Sequence, residues 1–272
     1  MKRVSVFDML LVLTLLSNSS CKSNDYKKIG PVYGHAGTAL SEERYIYPPN
    51  TQVSIDYALQ VLAADGVEVD VQMTADGELV LFHDQTTDET TNRAGCINSF
   101  TLSEIKEFDY YKNYKIASLT DVLPGTVSSG HKIILDLKHY NQCENRLIDF
   151  DLFNAALNKA MKTLSAIEKS NIIVNAQNIE MLNALTDTKI NKSLEIDDIN
   201  KGINFVESNS FDFLMLKLTQ MTKEEAKKLN ENNIQIGLFN IKTTNEIKQV
   251  LDFEFAFLIS DNIPKTKHLL KQ

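Results

Sequence analysis

Two histidines and three carboxylates stand in or beside short apolar runs, at spacings that suit acid–base chemistry next to a metal ion. His35 ends the first such run, and Glu68 and Asp70 lie two residues apart in the next. Because side chains alternate between the two faces of a strand, both carboxylates point the same way. Two carboxylates that share a direction into an apolar interior are costly unless a cation compensates them.

A third carboxylate and the second histidine extend this set. Asp136 and Lys138 repeat the two-residue spacing in a later run, and His83 ends another. Three carboxylates on neighbouring strands form an oxygen-rich site suited to Ca²⁺ or Mg²⁺, which leaves the histidines free for proton transfer. Each of these features alone is more often structural than catalytic. Lys138, for example, can simply neutralise Asp136. Their joint placement at the ends of strands favours a catalytic site.

Eight short apolar runs, each followed by a helix-like segment, must position these residues. Near-continuous runs of Val, Ile and Leu are typical of parallel strands buried on both faces. Their alternation with helices predicts an α/β fold, a (β/α)8 TIM barrel, with an open doubly wound sheet as the alternative. No Gly-rich nucleotide fingerprint follows the first run, which weakens that alternative. The predicted strands are residues 31–35, 66–72, 132–138, 171–177, 190–196, 211–217, 234–240 and 255–260.

One further run, residues 78–83, interrupts the alternation. Asp76-Gly77 separates it from the second strand and predicts an extra β-hairpin after strand two. The hairpin places His83 over the C-terminal face, where barrel active sites lie. Helix signals complete the pattern: Val53, Tyr57, Ala58 and Val61 share a helical face, and Thr101/Glu104, Thr222/Glu225 and Thr243/Glu246 have capping-box spacing.

The N-terminus carries the features of an export signal. Residues 1–20 comprise a basic start, an apolar stretch too short to span a membrane, and small polar residues. Cys21 follows directly and resembles a bacterial lipoprotein cleavage site, with ordinary cleavage as the alternative. We therefore predict a signal peptide, a lipidated tether at residues 21–28 and one barrel domain at residues 29–272. The expected location is the bacterial cell envelope, membrane-anchored on the periplasmic or outer-membrane face.

Composition excludes one class of partner and leaves other questions open. The 272-residue chain has a formal net charge of -8 and no basic tract, which argues against direct nucleic-acid binding. No protein partner is predicted, and the oligomeric state cannot be read from the sequence. An exported compartment permits a disulfide between Cys96 and Cys143, but their spacing does not decide whether one forms.

The motifs around the candidate residues resemble the glycerophosphodiester phosphodiesterase family, of which this chain looks like a divergent lipoprotein member. Their order and spacing agree over residues 30–140, and the likeness is weaker but consistent to Pro264. The motifs are Gly34-His35-x-Gly37, the run from Asp65 to Gln72, Thr74-x-Asp76-Gly77, Val80-x-Phe82-His83-Asp84 and, later, Phe239-Asn240 and Ser260-Asp261.

The resemblance implies a divalent metal, Ca²⁺ or Mg²⁺, held by Glu68, Asp70 and Asp136, with His35 and His83 as the acid–base pair. A metal offsets the charge of a phosphodiester and stabilises charge developing on phosphoryl oxygens. One histidine activates the nucleophile and the other protonates the leaving alkoxide. We favour His83 as the acid, although the sequence does not assign the two roles.

The resemblance also implies contacts to the substrate. Lys138 is expected at the phosphate, Arg93 in a loop that reaches the substrate, and Phe239 as an apolar wall for a glycerol-like group. Phe239 can equally belong to the barrel core. Glu195 and Asn175, near later strand ends, are further candidates for lining the pocket.

Three positions depart from the family pattern. Ala36 stands where the family usually has Arg, so a bidentate phosphate ligand is missing, and Lys138, the metal or Lys217 must compensate. Pro49 replaces an acidic residue before the first helix. Asp136 replaces Glu and is shorter by one methylene. These departures leave the expected metal and histidine set intact but put the usual substrate in doubt.

Three functions remain open at this point. The first is metal-dependent hydrolysis of glycerophosphodiesters to an alcohol and a glycerol phosphate. The second is a lyase, in which a hydroxyl of the substrate attacks phosphorus and a cyclic phosphate leaves. The third is a non-enzymatic envelope receptor for phosphorylated head groups, which has no need of both histidines beside the full set of carboxylates.

Overall fold

The computed structural model describes residues 30–41, 43–209 and 211–271, and within them eight parallel strands close into a barrel. The predicted signal peptide, Cys21 and the tether lie outside the described residues. The strands are β1 (Val32–Gly34), β2 (Gly66–Met73), β3 (Leu79–Leu81), β4 (Lys132–Leu137), β5 (Tyr140–Asn141), β6 (Arg146–Leu147), β7 (Ile172–Ala176), β8 (Asn191–Glu195), β9 (Phe213–Lys217), β10 (Ile236–Ile241) and β11 (Phe257–Ser260).

Closure of the sheet decides between the two predicted architectures. The strand order is β1-β11-β10-β9-β8-β7-β4-β2, and β1 pairs in parallel with both β11 and β2. An open doubly wound sheet would instead end in two edge strands, each paired on one side only. The (β/α)8 barrel is therefore confirmed, and each of the eight predicted strands is present within one or two residues of its expected start.

Helices cover the outside of the barrel. The capping boxes at Thr101, Thr222 and Thr243 are confirmed, and Ser165 with Glu168 forms another. No helix in the described part of the chain is long and apolar enough to cross a membrane. The helices are α1 (Gln52–Gln60), α2 (Leu102–Lys106), α3 (Leu119–Ser128), α4 (Phe150–Ala160), α5 (Ala166–Lys169), α6 (Ile179–Ala184), α7 (Ile199–Asn209), α8 (Lys223–Glu231), α9 (Thr244–Val250) and α10 (Ile263–Leu270).

Val61, one of the four residues predicted to share a face of α1, lies just beyond the end of the helix. Ile55, Ala58 and Leu59 are buried, whereas Val61 is 59% exposed. Val61 is the C-cap residue of a helix that ends at Gln60, so it has left the helical face that packs on the barrel.

Side-chain alternation along the strands separates two cores. Val67, Val69 and Val71 of β2 point outward into the large cluster between barrel and helices, which leaves Glu68 and Asp70 pointing inward. The lower barrel interior is filled by a separate apolar cluster: Tyr33, Ile134, Ile173, Met215, Phe257 and Ile259. The polar residues therefore occupy the upper interior, at the C-terminal ends of the strands.

The predicted hairpin after strand two is confirmed. β2 and β3 pair antiparallel with Val71 opposite Leu81, and Gly77 in the turn has a φ of +77°. Residues 82–118, between β3 and α3, form an insertion with its own apolar cluster; its buried members are Val80, Phe82, Ile97, Ile105, Phe108, Tyr110 and Ile116. The insertion carries His83 onto the C-terminal face, as the sequence predicted.

A disulfide between Cys96 and Cys143 ties this insertion to the loop that follows β4. The bond closes a sequence separation of 47 residues.

Since cross-linking removes loop-closure entropy from the unfolded chain, we expect the Cys96→Ala/Cys143→Ala protein to lose about 3–4 kcal/mol of unfolding free energy. Urea unfolding measures this difference. A reducing agent should destabilise the wild type and leave the double variant unchanged; equal midpoints for the two proteins would contradict the prediction.

Candidate active site

Three carboxylates meet at the C-terminal end of the barrel. Glu68 and Asp70 on β2 and Asp136 on β4 each place one oxygen within 4.8 Å of the others. The strand register causes this meeting, because Asp70 lies opposite Asp136, and neighbouring strands are only about 4.8 Å apart. Glu68 and Asp70 are buried, at 5% and 2% exposure. Buried charges of one sign need compensation from nearby cations.

Asp70 is fixed by two residues, Asn50 and Lys138. Asn50 donates its Nδ2–H to Asp70 Oδ2 over 2.8 Å and accepts the Asp70 backbone N–H on Oδ1. Lys138 Nζ lies 2.7 Å from Asp70 Oδ1 and 2.6 Å from Asp136 Oδ2. Burial opposes the charge of Asp70, but the Lys138 ammonium, the charge of His83 and the hydrogen bonds from Lys138 and Asn50 together lower the pKa of this carboxyl. Lys138 is correspondingly held with a raised pKa by Asp136 and Asp70, against the effect of burial.

Glu68 has less compensation. Its Oε2 accepts the backbone N–H of Ala36 over 3.0 Å. Burial, and then the charges of Asp70 and Asp136, raise the pKa of Glu68 well above its usual range. Three carboxylates against the one ammonium of Lys138 leave a formal charge of −2 when all are ionised. A divalent cation would balance that charge, and a donor set made only of carboxylate oxygens suits a hard ion. The residues present therefore fit a Ca²⁺ or Mg²⁺ ion.

The two histidines stand at different depths around the carboxylates. His35 Nδ1 lies 2.8 Å from Asp261 Oδ1, and its Nε2 is 3.9 Å from Glu68 Oε2. Burial opposes ionisation of Asp261, but the hydrogen bond and electrostatic effect of His35, the Leu40 N–H and the charge of Lys242 together lower the pKa of that carboxyl. An ionised carboxylate only accepts hydrogen bonds, so Nδ1–H donates to Asp261 and the ring is oriented with Nε2 on the side of Glu68.

His83 forms a hydrogen bond with Asp84, the next residue in the sequence. Its Nδ1 lies 3.0 Å from Asp84 Oδ1, and this hydrogen bond raises the pKa of His83, while burial acts in the opposite direction. Gln72 supports the segment by donating to the backbone oxygens of Phe82 and Asp84. A protonated imidazole is thus stabilised at the rim of the carboxylate cluster.

These groups share one pocket of about 310 Å³ at the barrel mouth. Both histidines and all three carboxylates line it. So do the predicted residues Lys138, Lys217, Phe239, Asn175 and Glu195. The Lys217 ammonium lies 5.9 Å from the centre of the Phe239 ring. Phe239 also packs against the apolar cluster of the lower barrel, so it both lines the pocket and contacts the core.

Arg93 is the predicted site residue that the structure places elsewhere. It is exposed and does not line the pocket, and its charge acts on Glu104 at the start of α2. The backbone of its loop is fixed by Thr87, whose hydroxyl donates to Arg93 O. Contact of Arg93 with the substrate therefore stays a prediction that the lining of the pocket does not support.

Comparison with known proteins places this site in a family. Residues 43–268 match the Glycerophosphoryl diester phosphodiesterase family. The chain belongs to that family. Curated glycerophosphodiester phosphodiesterases of Caldanaerobacter subterraneus subsp. tengcongensis and Bacillus altitudinis are 52% and 43% identical over 62 and 63 residues, which is 23% of this chain. The matches span about a quarter of the length of each relative.

The fold of this family member agrees with solved structures. A phosphodiesterase of Oleispira antarctica in complex with the product sn-glycerol-3-phosphate has a TM-score of 0.76 and 19% identity, over 91% of this chain and 99% of that one. A glycerophosphodiester phosphodiesterase of Parabacteroides distasonis has a TM-score of 0.73 and 17% identity, over 89% and 97%. At these identities the likeness establishes the barrel alone.

Two departures from the family pattern have a structural setting. Ala36 is fully buried with a φ of +48°, and its backbone N–H serves Glu68. The pocket carries positive charge from other positions, Lys217 and Lys242. Pro49 offers its backbone oxygen to the Tyr110 hydroxyl, so this position now anchors the insertion.

Three residues of the site were missing from the candidate set drawn from the sequence. Asp261 orients His35, Asn50 brackets Asp70, and Lys242 lies 4.0 Å from Asp261 Oδ2 inside the pocket. Asp261 directly follows β11, the neighbour of β1. Its place after the eighth strand, matching that of His35 after the first, was the signal that would have found it.

Proposed function

We propose that this protein hydrolyses glycerophosphodiesters to an alcohol and a glycerol phosphate. The buried carboxylate cluster, flanked by His35 and His83 in one pocket, carries the proposal. Membership of the family and the names of its curated members support it. A receptor would gain nothing from a histidine oriented by a carboxylate on each side of the cluster.

Glu68, Asp70 and Asp136 would hold one divalent cation, Ca²⁺ or Mg²⁺. Such an ion would offset the charge of the phosphodiester and stabilise charge on its oxygens. Lys138, Lys217 and Lys242 add positive charge around the same pocket. Lysine binds phosphate as a point charge, so this set is our candidate for the function of the arginine that Ala36 replaces.

The histidines supply proton transfer. His35, oriented by Asp261, takes a proton from the attacking water on Nε2, and the water oxygen bonds to phosphorus. The phosphorus–oxygen bond to the alcohol breaks, and the alcohol oxygen takes its proton from His83 Nε2. The raised pKa of His83 supports the acid role, because an acid must be protonated before the step.

Asp84→Asn tests this assignment through pH. The acid form of His83 is lost, and kcat/KM falls, as pH rises through its pKa. Since the Asp84 hydrogen bond raises that pKa, we expect the variant to lose activity at a lower pH than the wild type, with little change at acidic pH. A pH profile of kcat/KM measures the shift. Asp88→Asn, an exposed carboxylate in the same loop, is the control; an unmoved basic limb in Asp84→Asn would contradict the acid role.

We also propose export to the bacterial envelope and lipidation at Cys21. The composition of residues 1–20 supports export, and so does the Cys96–Cys143 disulfide, because such bonds persist in oxidising compartments. Metabolic labelling with a fatty acid, in the wild type and in Cys21→Ala, tests the anchor. Label in the wild type alone is the expected result, and no label in either protein would remove the proposal.

The activity itself is tested with metal-stripped protein. Glycerophosphodiesters and bis(p-nitrophenyl) phosphate are assayed after addition of Ca²⁺, Mg²⁺ or Mn²⁺, with products followed by phosphorus NMR. We expect metal-dependent release of a linear monoester. A cyclic phosphate as the final product would identify a lyase. Metal binding without any turnover would leave the receptor as the better description.

A further inference from the structure

A second cavity opens from the catalytic pocket on the side of His83. Its volume is about 580 Å³, in the range of small-molecule sites. It shares His83, Asp136, Lys138 and Gln177 with the inner pocket, whereas His35 lines the inner pocket but not this outer cavity. His83 thus lies on the border between the inner pocket and the outer cavity. A diester whose phosphate lies beside the carboxylate cluster can extend into the outer cavity.

The position of the acid gives the two spaces different roles. A group that protonates the departing oxygen must lie on the side of the leaving alcohol. The inner pocket, with Met215 and Phe239 near its floor, then holds the glycerol phosphate that stays behind. We propose that the outer cavity is the subsite for the leaving alcohol and that it selects a polyhydroxylated alcohol, such as a polyol or sugar. The proposal rests on the hydrolysis proposed above.

The chemistry of the outer lining supports this selection. Gln85, Thr86 and Gln142 offer uncharged donors and acceptors, and each glutamine amide provides two N–H donors and a carbonyl oxygen. Hydroxyl groups, which both donate and accept, match such a lining. The apolar residues of the lining are Leu137 and Tyr140, so most of the residues that line the cavity are polar or charged.

Charge and aromatic content argue against two other kinds of alcohol. The carboxylates of Asp84 and Glu89 face the cavity and disfavour an anionic group on the leaving alcohol. A quaternary ammonium group is typically held by several aromatic faces, and Tyr140 is the aromatic ring of tyrosine, phenylalanine or tryptophan that lines this cavity in the described part of the chain.

The two walls of the cavity are joined covalently. One wall is residues 83–89 of the insertion, and the other is residues 136–142 at the end of β4 and in the loop after it. The Cys96–Cys143 disulfide connects the segments that carry these walls. A fixed separation of the two backbone segments favours binding, because less loop ordering is needed when the alcohol binds.

Three diesters of glycerol phosphate that differ in the alcohol test the subsite: the inositol, choline and ethanolamine esters. We expect kcat/KM for the inositol ester to be about tenfold above that for the choline ester. Gln85→Ala and Gln142→Ala should each lower this ratio about two- to tenfold, the usual effect of one lost hydrogen bond. Gln249→Ala, an exposed glutamine of α9, is the matched control and should keep the ratio.

Binding of the same three esters, measured by calorimetry with metal present, separates the two proposals. Preferential binding of the inositol ester without turnover would overturn the hydrolysis and keep the subsite. Turnover or binding that is equal for all three esters, or better for choline, would overturn the subsite. A uniform loss for all esters in Gln142→Ala would do the same, because it would indicate general damage to the mouth of the barrel.

Discussion

His83→Ala should lower kcat about 10²–10⁴-fold for a glycerophosphodiester and far less for a p-nitrophenyl ester. An alkoxide is a strong base and leaves slowly without a proton, whereas p-nitrophenolate is a weak base that departs unassisted. The acid role of His83 rests on its hydrogen bond with Asp84, which raises its pKa. Steady-state kinetics of both substrates measure the difference.

His35→Ala provides the contrasting variant. A base that activates the attacking water is needed whatever group leaves, so this change should reduce turnover of both substrates by a similar factor. His131→Ala is the neutral control, because His131 precedes β4 at the opposite end of the barrel from the site. If His83→Ala lost equal activity on both substrates and His35→Ala did not, the two roles would be exchanged.

The sequence predicted the carboxylate cluster because side-chain alternation along a strand and parallel pairing of neighbouring strands together determine where these side chains lie. Glu68 and Asp70 alternate with buried valines, so their direction follows from the pleat alone. Their meeting with Asp136 needs only that β4 pairs in parallel with β2, which a barrel provides. The register that sets Asp136 opposite Asn175 follows in the same way.

The positions of loop residues were not predicted, because no periodic pattern in the sequence fixes the conformation of a loop. Asn50 reaches Asp70 from the loop before α1 with a φ of +59°, and no periodicity fixes that conformation. Arg93 has the right sequence context, but it lies exposed on the insertion, which packs around its own apolar cluster, and it does not line the pocket. The partner of Cys96 likewise depends on where the insertion folds back against the loop after β4.

Glu68→Gln should abolish metal-dependent turnover and yet raise the melting temperature of the metal-free protein. Burial and the charges of Asp70 and Asp136 raise the pKa of Glu68. A carboxyl whose pKa is raised on folding destabilises the folded state once pH exceeds its value in the unfolded chain, and the penalty is relieved as pH falls. Glutamine keeps the shape and removes the charge, so the metal-free variant is the more stable protein at neutral pH.

Addition of the metal should reverse the order of stability of the wild type and Glu68→Gln. An ion at 100 times its dissociation constant stabilises a folded protein by about 2.7 kcal/mol, which is roughly 5–10 °C for a chain of this size. We expect such a rise in the wild type and little rise in Glu68→Gln, because two carboxylates already neutralised in part by Lys138 attract a divalent ion weakly. Thermal unfolding with and without Ca²⁺ or Mg²⁺ measures both effects.

Glu231→Gln, an exposed carboxylate at the end of α8, should resemble the wild type in both conditions. Equal metal-induced stabilisation of Glu68→Gln and the wild type would place the ion elsewhere. A lower melting temperature of the metal-free variant would mean that Glu68 is held mainly by the Ala36 N–H and stabilises the loop after β1. The expected crossing of the two stabilities arises only if the barrel keeps Glu68 and Asp70 buried beside Asp136 because the three carboxylates bind the ion.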